Sequence, residues 1–282
     1  MPNILEIVKV SRPGFWPTHV WFYVLPFATR DMFGSFSFWV GAVYVCFPLG
    51  LLLYGWNDIG DAETDAVNQR KDSWLFGARP DQSLRKQLPT IIFLVQLPFV
   101  GLFIWLGGAK MLVWFLAMVG ANAAYNTFGF KKIAVLDLLN QVGYLLVFVL
   151  SSWLCVAPHL SLPVTCFCAL FAMQSHLFGQ IMDVDEDRIA GRKSTAVLLG
   201  VFPSKLLLSG ILFIELGIAF FCFRSWYVAA FMGAAATLFL GDAFWGPKKY
   251  PVWLTKAFFI GWNLVVVTTA YFVWRYDVFV VY

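Results

Sequence analysis

Two short acidic runs carry most of the chemistry that this sequence offers. The first reads Asn57-Asp58-Ile59-Gly60-Asp61-Ala62-Glu63-Thr64-Asp65, and the second Asp183-Val184-Asp185-Glu186-Asp187. Ten of the 16 acidic residues fall within 57–88 and 183–203, and each stretch follows an apolar run. If the preceding helix continues through the first run, Asn57, Asp58, Asp61 and Asp65 fall near one face, and Asp183 and Asp187 stand one turn apart. Like charges at these spacings repel, more so where water screens them poorly, so something cationic must offset them. Carboxylate oxygens without His or Cys suit a hard ion, and Mg²⁺ is typically held by one or two carboxylates together with substrate phosphates. One such run alone reads as a solvated loop. Two of them, about 125 residues apart at the ends of apolar segments, point to facing helix ends that hold Mg²⁺ and, through it, a polyphosphate.

The elements that must position these runs are membrane helices. Of 282 residues, 60% are hydrophobic and 13% charged, with 30 Phe and 13 Trp, and the mean hydropathy is +0.74. Soluble domains carry about 25% charged residues, so a water-soluble globule of this composition would leave apolar surface uncovered. Soluble enzyme, nucleic-acid module and disordered scaffold are poor readings, and no nucleic-acid partner is expected. A span needs about 20 apolar residues. Nine runs qualify: 16–29, 37–56, 90–107, 111–128, 135–156, 162–182, 204–223, 226–245 and 255–274. Pro26, Pro48 and Pro98 fall inside spans, where neighbouring helices can satisfy the freed carbonyls. With nine spans and a cytoplasmic N-terminus, 16 of the 20 Lys and Arg lie on the cytoplasmic side, leaving only Arg30, Lys110, Arg224 and Arg275 outside. The five cysteines match no zinc spacing and read as buried apolar thiols. Residues 1–15 do not read as a cleaved signal. The expected architecture is an all-α membrane protein of one polytopic domain over 1–282, with helices 1–4 at about 16–128 and helices 5–9 at about 135–274. A central cavity is expected to open at the cytoplasmic face. Residues 57–88 are long enough to hold a short helix capping its mouth, with Phe76-Gly77-Ala78-Arg79-Pro80 as its end or hinge.

The chain resembles the UbiA-type intramembrane prenyltransferases. Their N-D-x-x-D-x-x-x-D motif stands here as Asn57, Asp58, Asp61 and Asp65. Their D-x-x-x-D with a following G-x-x-T stretch stands as Asp183, Asp187, Gly191, Lys193 and Thr195. The Arg-Pro pair of the first helix is Arg12-Pro13, and the Tyr that ends the fourth helix with a Lys shortly after is Tyr125 with Lys131. The segment from Asn68 to Trp74 departs from the T-x-x-R-P-L of many quinone-type members. With Tyr54-Gly55-Trp56, it is similar to the lycopene-elongase-like branch, and so points away from a quinone-precursor acceptor.

The resemblance implies transfer of a prenyl group from an isoprenoid diphosphate to a lipophilic acceptor within the bilayer. Asp58, Asp61 and Asp65 would hold one Mg²⁺, and Asp183 and Asp187 a second. Asn57, Arg70, Lys131 and Lys193 are the candidates to hold the diphosphate, and Tyr125 lies near the bond that breaks. The carbocation requires a dry pocket whose aromatic faces stabilise it. A terpene cyclase would use the same motifs without an acceptor. A transporter would instead place charged groups near the midplane. Gln180 and His176 share the face of Asp183; His19, Asn122, Asn126, Asn140, Gln141 and Glu215 are further polar residues within spans that read equally as helix-bridging groups.

Overall fold

The computed structural model describes residues 3–276 and residue 279. A short helix α1 (Ile4–Val10) is capped by the Asn3 side chain, and α2 (Trp16–Val24) is flanked by 3₁₀ turns at Pro13–Phe15 and Leu25–Phe27. The long helices are α3 (Phe36–Gly60), α5 (Gln82–Gly107), α6 (Lys110–Asn126), α7 (Leu136–Leu154), α8 (Leu162–Met182), α11 (Val201–Phe221), α12 (Trp226–Trp245) and α13 (Val252–Tyr276), with three short helices between them: α4 (Ala62–Val67), α9 (Val184–Ile189) and α10 (Thr195–Leu199). Among the described residues there are isolated bridges but no strands.

Eight of these helices are long and apolar enough to cross a membrane. Seven begin within three residues of the expected runs; α5 begins at Gln82 rather than 90, because Asp81 caps it by accepting from the Leu84 N–H at 2.7 Å and the polar turn Gln82–Gln87 extends it out of the apolar zone. The expected span at 16–29 is different. With its flanking 3₁₀ turns α2 makes one continuous helical stretch over 13–27, shorter than the eight long helices. Pro13 and Pro26 set 3₁₀ turns at its two ends. It packs as an inner element against α3, α7 and α13, with Trp21, Phe22 and Tyr23 buried. The apolar coat lies elsewhere, on residues such as Leu94, Trp105, Leu116, Trp245 and Leu264. Cys168 is buried, Cys46, Cys155 and Cys222 are half-buried and Cys166 is exposed, so the expectation of five buried thiols is met in full at Cys168 and corrected at Cys166.

The local irregularity in α3 positions the first acidic run. Pro48 lies inside it, and residues Leu51–Gly55 form a π turn. Such a turn displaces the backbone ladder and leaves carbonyls in need of donors. Gln96 of α5 donates to the Pro48 carbonyl at 2.8 Å, and Asn122 of α6 donates to the Leu52 carbonyl at 3.0 Å. Asn122 is thereby a bridge between helices, one turn below the acidic residues. Replacing it by Leu leaves a buried carbonyl unpaired, for which about 1–3 kcal/mol of lost stability is expected; unfolding of the detergent-solubilised Asn122→Leu chain against wild type measures it.

Candidate active site

The two acidic runs meet at one end of the helix bundle. Helix α3 stops at Gly60, and Asp61 (φ −103°, ψ 20°) breaks the path before α4 starts. The break turns Asn57, Asp61 and Asp65 onto the wall of a cavity of about 890 Å³, whereas Asp58 lies fully buried behind them. Asp183 and Asp187 reach the same wall from the α8–α9 junction. All five motif carboxylates are thus gathered, with one behind the surface rather than all on one face.

Each of the five has a basic partner. Arg12 reaches Asp58 at 3.0 Å, and Lys71 bridges Asp58 at 2.7 Å and Asp65 at 3.0 Å. Lys131 contacts Asp61 at 2.7 Å and also donates to Asn57 and Asn126, each at 3.1 Å. Arg192 spans the two runs, 2.6 Å from Asp61 and 3.1 Å from Asp187, and Arg70 pairs with Asp183. Five carboxylates face five bases. Burial would raise the Asp61 carboxyl, but Arg192 and Lys131 overcome it and hold it below the usual range. Burial pushes Asp187 up to about 6 against the pull of Arg192, and raises Asp65, with repulsion from Asp58 offsetting part of the pull of Lys71.

The expected diphosphate holders separate here. Asn57, Arg70 and Lys131 line the cavity. Lys193 does not: it is exposed, and its backbone bridges Ile133. Its neighbour Arg192 takes the inward place. The reason is the end of α9, where Gly191 adopts φ +68° and the N–H groups of Gly191 and Arg192 return to the carbonyls of Arg188 and Asp187. That pair of bonds is a Schellman closure, and it folds residue 192 back over Asp187 while residue 193 leaves outward.

Thr195 of the same stretch is fixed by a residue that the sequence reading passed over. Asp137, fully buried at the start of α7, accepts from the Thr195 N–H at 2.7 Å, the Thr195 hydroxyl at 2.6 Å, Gln180 at 2.7 Å and the Leu138 N–H at 2.8 Å. Thr195 in turn accepts the N–H of Val135, a β-branched residue held at φ +71°. The signal in the sequence was a lone aspartate within the apolar run Val135-Leu136-Asp137-Leu138-Leu139. Arg12 stood in the Arg-Pro pair, but the carboxylate partners of Arg12 and Lys71 were equally unassigned. Tyr125 lines the cavity with its hydroxyl 3.3 Å from His176 Nε2, and Gln141 donates to the Asp137 carbonyl. Asn140 lines the wall, and Glu215 is buried outside it with neither carboxylate oxygen hydrogen-bonded.

Within residues 57–88 the short helix is α4, and residues 73–77 form a bridged turn instead of the end of a helix. Ser73 and Gly77 exchange backbone bonds at 3.0 and 2.8 Å, Gly77 at φ +96° rests on the Arg12 side chain, and Phe76 packs on Phe259 with Arg70 over its ring. Below the mouth the lining turns apolar and aromatic, with Phe22, Phe171, Phe258 and Trp262.

A profile of the UbiA prenyltransferase family matches residues 15–265. The chain belongs to the UbiA prenyltransferase family. Among curated relatives, the chain is 28% identical over 258 residues to a lycopene elongase/hydratase of Haloferax volcanii, covering 89% of this chain and 78% of that protein. It is 30% identical over 199 residues to the C(50) beta-cyclic carotenoids biosynthesis protein LbtBC of a Dietzia species, which covers 67% of this chain but only 45% of that longer protein. Among solved structures, a UbiA homolog from Archaeoglobus fulgidus bound to DMAPP and Mg²⁺ superposes with a TM-score of 0.63 at 18% identity, covering 93% of this chain and 99% of that one. The form bound to GPP and Mg²⁺ gives 0.61 at 16% identity over the same shares. These likenesses establish the UbiA fold.

The motif residues fit a hard divalent ion. They supply carboxylate oxygens with no thiolate or imidazole among them, and Asp58 Oδ2 is buried without a hydrogen-bond partner. No three His, Cys, Asp or Glu form a ready metal cage among the described residues. Mg²⁺ typically takes one or two carboxylates and completes its shell with water and substrate oxygens. The outward turn of residue 193 has a direct consequence. Arg192→Gln should weaken binding of inorganic diphosphate in the presence of Mg²⁺ by about tenfold or more, the loss of one charge-assisted contact, and Lys193→Gln by less than about twofold; calorimetric titration of the two variants checks this.

Proposed function

We propose that this chain is an intramembrane, Mg²⁺-dependent prenyltransferase that moves a prenyl group from an allylic diphosphate to a lipophilic polyene. The observation that carries this reading is the placement of five paired carboxylates and five bases at the mouth of an aromatic cavity of about 890 Å³. The acceptor class follows from the lycopene elongase/hydratase relatives. We read residues 1–282 as one membrane domain, with the segment at 16–29 as a ninth, partly spanning element and the acidic mouth and N-terminus on the cytoplasmic side.

Asp58, Asp61 and Asp65 would hold one Mg²⁺, and Asp183 and Asp187 a second. When bound, the ions supply Lewis-acid neutralisation of the leaving diphosphate. The protein's part is an exchange of partners. Arg70, Lys131 and Arg192 lose carboxylate contacts and turn to diphosphate oxygens, where negative charge grows as the C–O bond breaks. Asn57, held by Lys131 at 3.1 Å, adds a neutral donor. Tyr125 lies at the boundary between the charged mouth and the apolar wall, positioned to face the cation with its ring. The aromatic wall excludes water that would quench the cation to an alcohol.

The reading is tested with purified protein in detergent, given allylic diphosphates of several lengths with and without Mg²⁺ and lycopene. Diphosphate release that needs both Mg²⁺ and lycopene is expected, and Asp183→Ala and Asp58→Asn should lower it by about a hundredfold or more with the helical circular dichroism unchanged. Release without any acceptor, with a cyclic product, would make the chain a cyclase and overturn the acceptor assignment. The raised Asp187 sets a pH dependence. Below about pH 6 a proton occupies the carboxylate that Mg²⁺ requires, so Mg²⁺ affinity should fall about tenfold between pH 7.5 and pH 5. Tryptophan fluorescence titration measures this, and Asp187→Asn should flatten the dependence.

A further inference from the structure

The cavity holds an acid–base chain that neither ion binding nor diphosphate binding employs. His19 of α2, Tyr54 of α3 and Tyr144 of α7 all line it. His19 Nδ1 is 2.9 Å from the Val45 carbonyl, which only accepts, so Nδ1 carries the proton of the neutral ring. Nε2 therefore bears a lone pair, and the Tyr54 hydroxyl at 3.2 Å donates to it. Tyr54 then accepts from Tyr144, whose oxygen is 3.0 Å away. Every donor in the chain has one possible direction: Tyr144 to Tyr54 to His19. The chain's open end is the Tyr144 oxygen, which has no other hydrogen-bond partner among the described residues and lines the cavity.

Its position matches a need in the chemistry. Tyr54 lies one helical turn, about 5.4 Å, below Asp58, and the Arg12 guanidinium that pairs with Asp58 sits 4.7 Å over the Tyr54 ring. The chain therefore begins where the hydrocarbon just beyond a bound diphosphate would lie. The second imidazole of the cavity, His176, has Tyr125 as its one hydrogen-bond partner among the described residues, a hydroxyl that can donate or accept.

We propose that His19, Tyr54 and Tyr144 form the proton acceptor that ends the transfer reaction, an inference that rests on the polyene reading above. The C–O bond of the allylic diphosphate breaks with its electron pair on the diphosphate. The acceptor's C=C pair forms the new C–C bond, which leaves a cation on an acceptor carbon. A proton leaves the adjacent carbon, and its C–H pair becomes a new C=C. That proton goes to the Tyr144 oxygen as Tyr144 passes its own to Tyr54 and Tyr54 passes its own to His19 Nε2. Val45 holds the other side of the imidazolium so formed. The reverse shift delivers the proton to the released diphosphate, which restores the chain and balances the reaction.

Two variants preserve packing while removing proton transfer. Glutamine at position 19 (His19→Gln) can still donate to Val45 and accept from Tyr54, and Tyr144→Phe keeps the ring. With wild-type protein, Mg²⁺, an allylic diphosphate and lycopene, one coupled product per diphosphate released is expected. In both variants diphosphate release should continue within about threefold while deprotonated coupled product per release drops about tenfold or more, the difference appearing as coupled product hydrated at the acceptor cation. Lycopene deuterated beside the reacting carbon should show a larger isotope effect on that ratio in His19→Gln than in wild type, a change that loosened packing does not produce. A wild-type ratio in both variants overturns the proposal. Equal loss of release and coupling together with a lowered melting temperature also overturns it, in favour of a structural role. No coupled product from wild type overturns the polyene reading itself, and this proposal with it.

Discussion

Carboxylates taken out of water must be paired, and that requirement organises this molecule. An unpaired buried charge costs several kcal/mol even after relaxation, and a broken buried pair leaves its partner with that cost. Asp58 is fully buried and Asp61, Asp65 and Asp187 nearly so, so the fold must bring Arg12, Lys71, Lys131 and Arg192 to them from four different stretches of chain. The Arg12 backbone at φ +51°, the capping loop around Gly77 and the closure at Gly191 are the backbone devices that accomplish it. The mouth's five carboxylates and five bases balance in charge, so in the proposed reaction a diphosphate would bring compensating cations with it, which accounts physically for a divalent ion there.

A second layer supports this one. Helix α3 delivers its acidic end through a proline and a π turn, and α5 and α6 lend Gln96 and Asn122 to repair the ladder. Asp137 performs the same office for the second run, tying Thr195, Gln180 and α7 together with four accepted bonds. None of the three needs to touch substrate to matter. All set where the carboxylates stand, and supporting contacts of this kind control the precision of a site.

Much of this was legible in the sequence because two strong periodic signals carry it. Apolar runs of membrane length fixed the helices from 36 onward, and the acidic spacing at helix ends located the mouth. The first segment was less regular than its composition suggests: residues 16–29 are apolar enough, but Pro13 and Pro26 set 3₁₀ turns at the two ends of α2, so its helical stretch over 13–27 is shorter than the others. The inward basic residue was misplaced by one position for a conformational reason, since only the left-handed Gly191 decides whether 192 or 193 turns back. Partners over long separations, such as Arg12 with Asp58 and Asp137 with Thr195, left no local pattern, because pairing across helices follows from topology and not from spacing.

The double engagement of Arg192 with Asp61 and Asp187 also bears on how the chain is made. Asp61 emerges early in synthesis, with Lys131 the first of its two bases to follow, and Arg192 reaches it only after five long helices have been laid down. Until then Asp61 lacks one of its two bases, and the two acidic runs have no group that joins them. Closing a loop of that length is slow relative to local helix formation. Arrival of the α9 turn is therefore the step that converts a set of inserted helices into an assembled mouth, so a nascent chain arrested before it would hold its helices without a competent site.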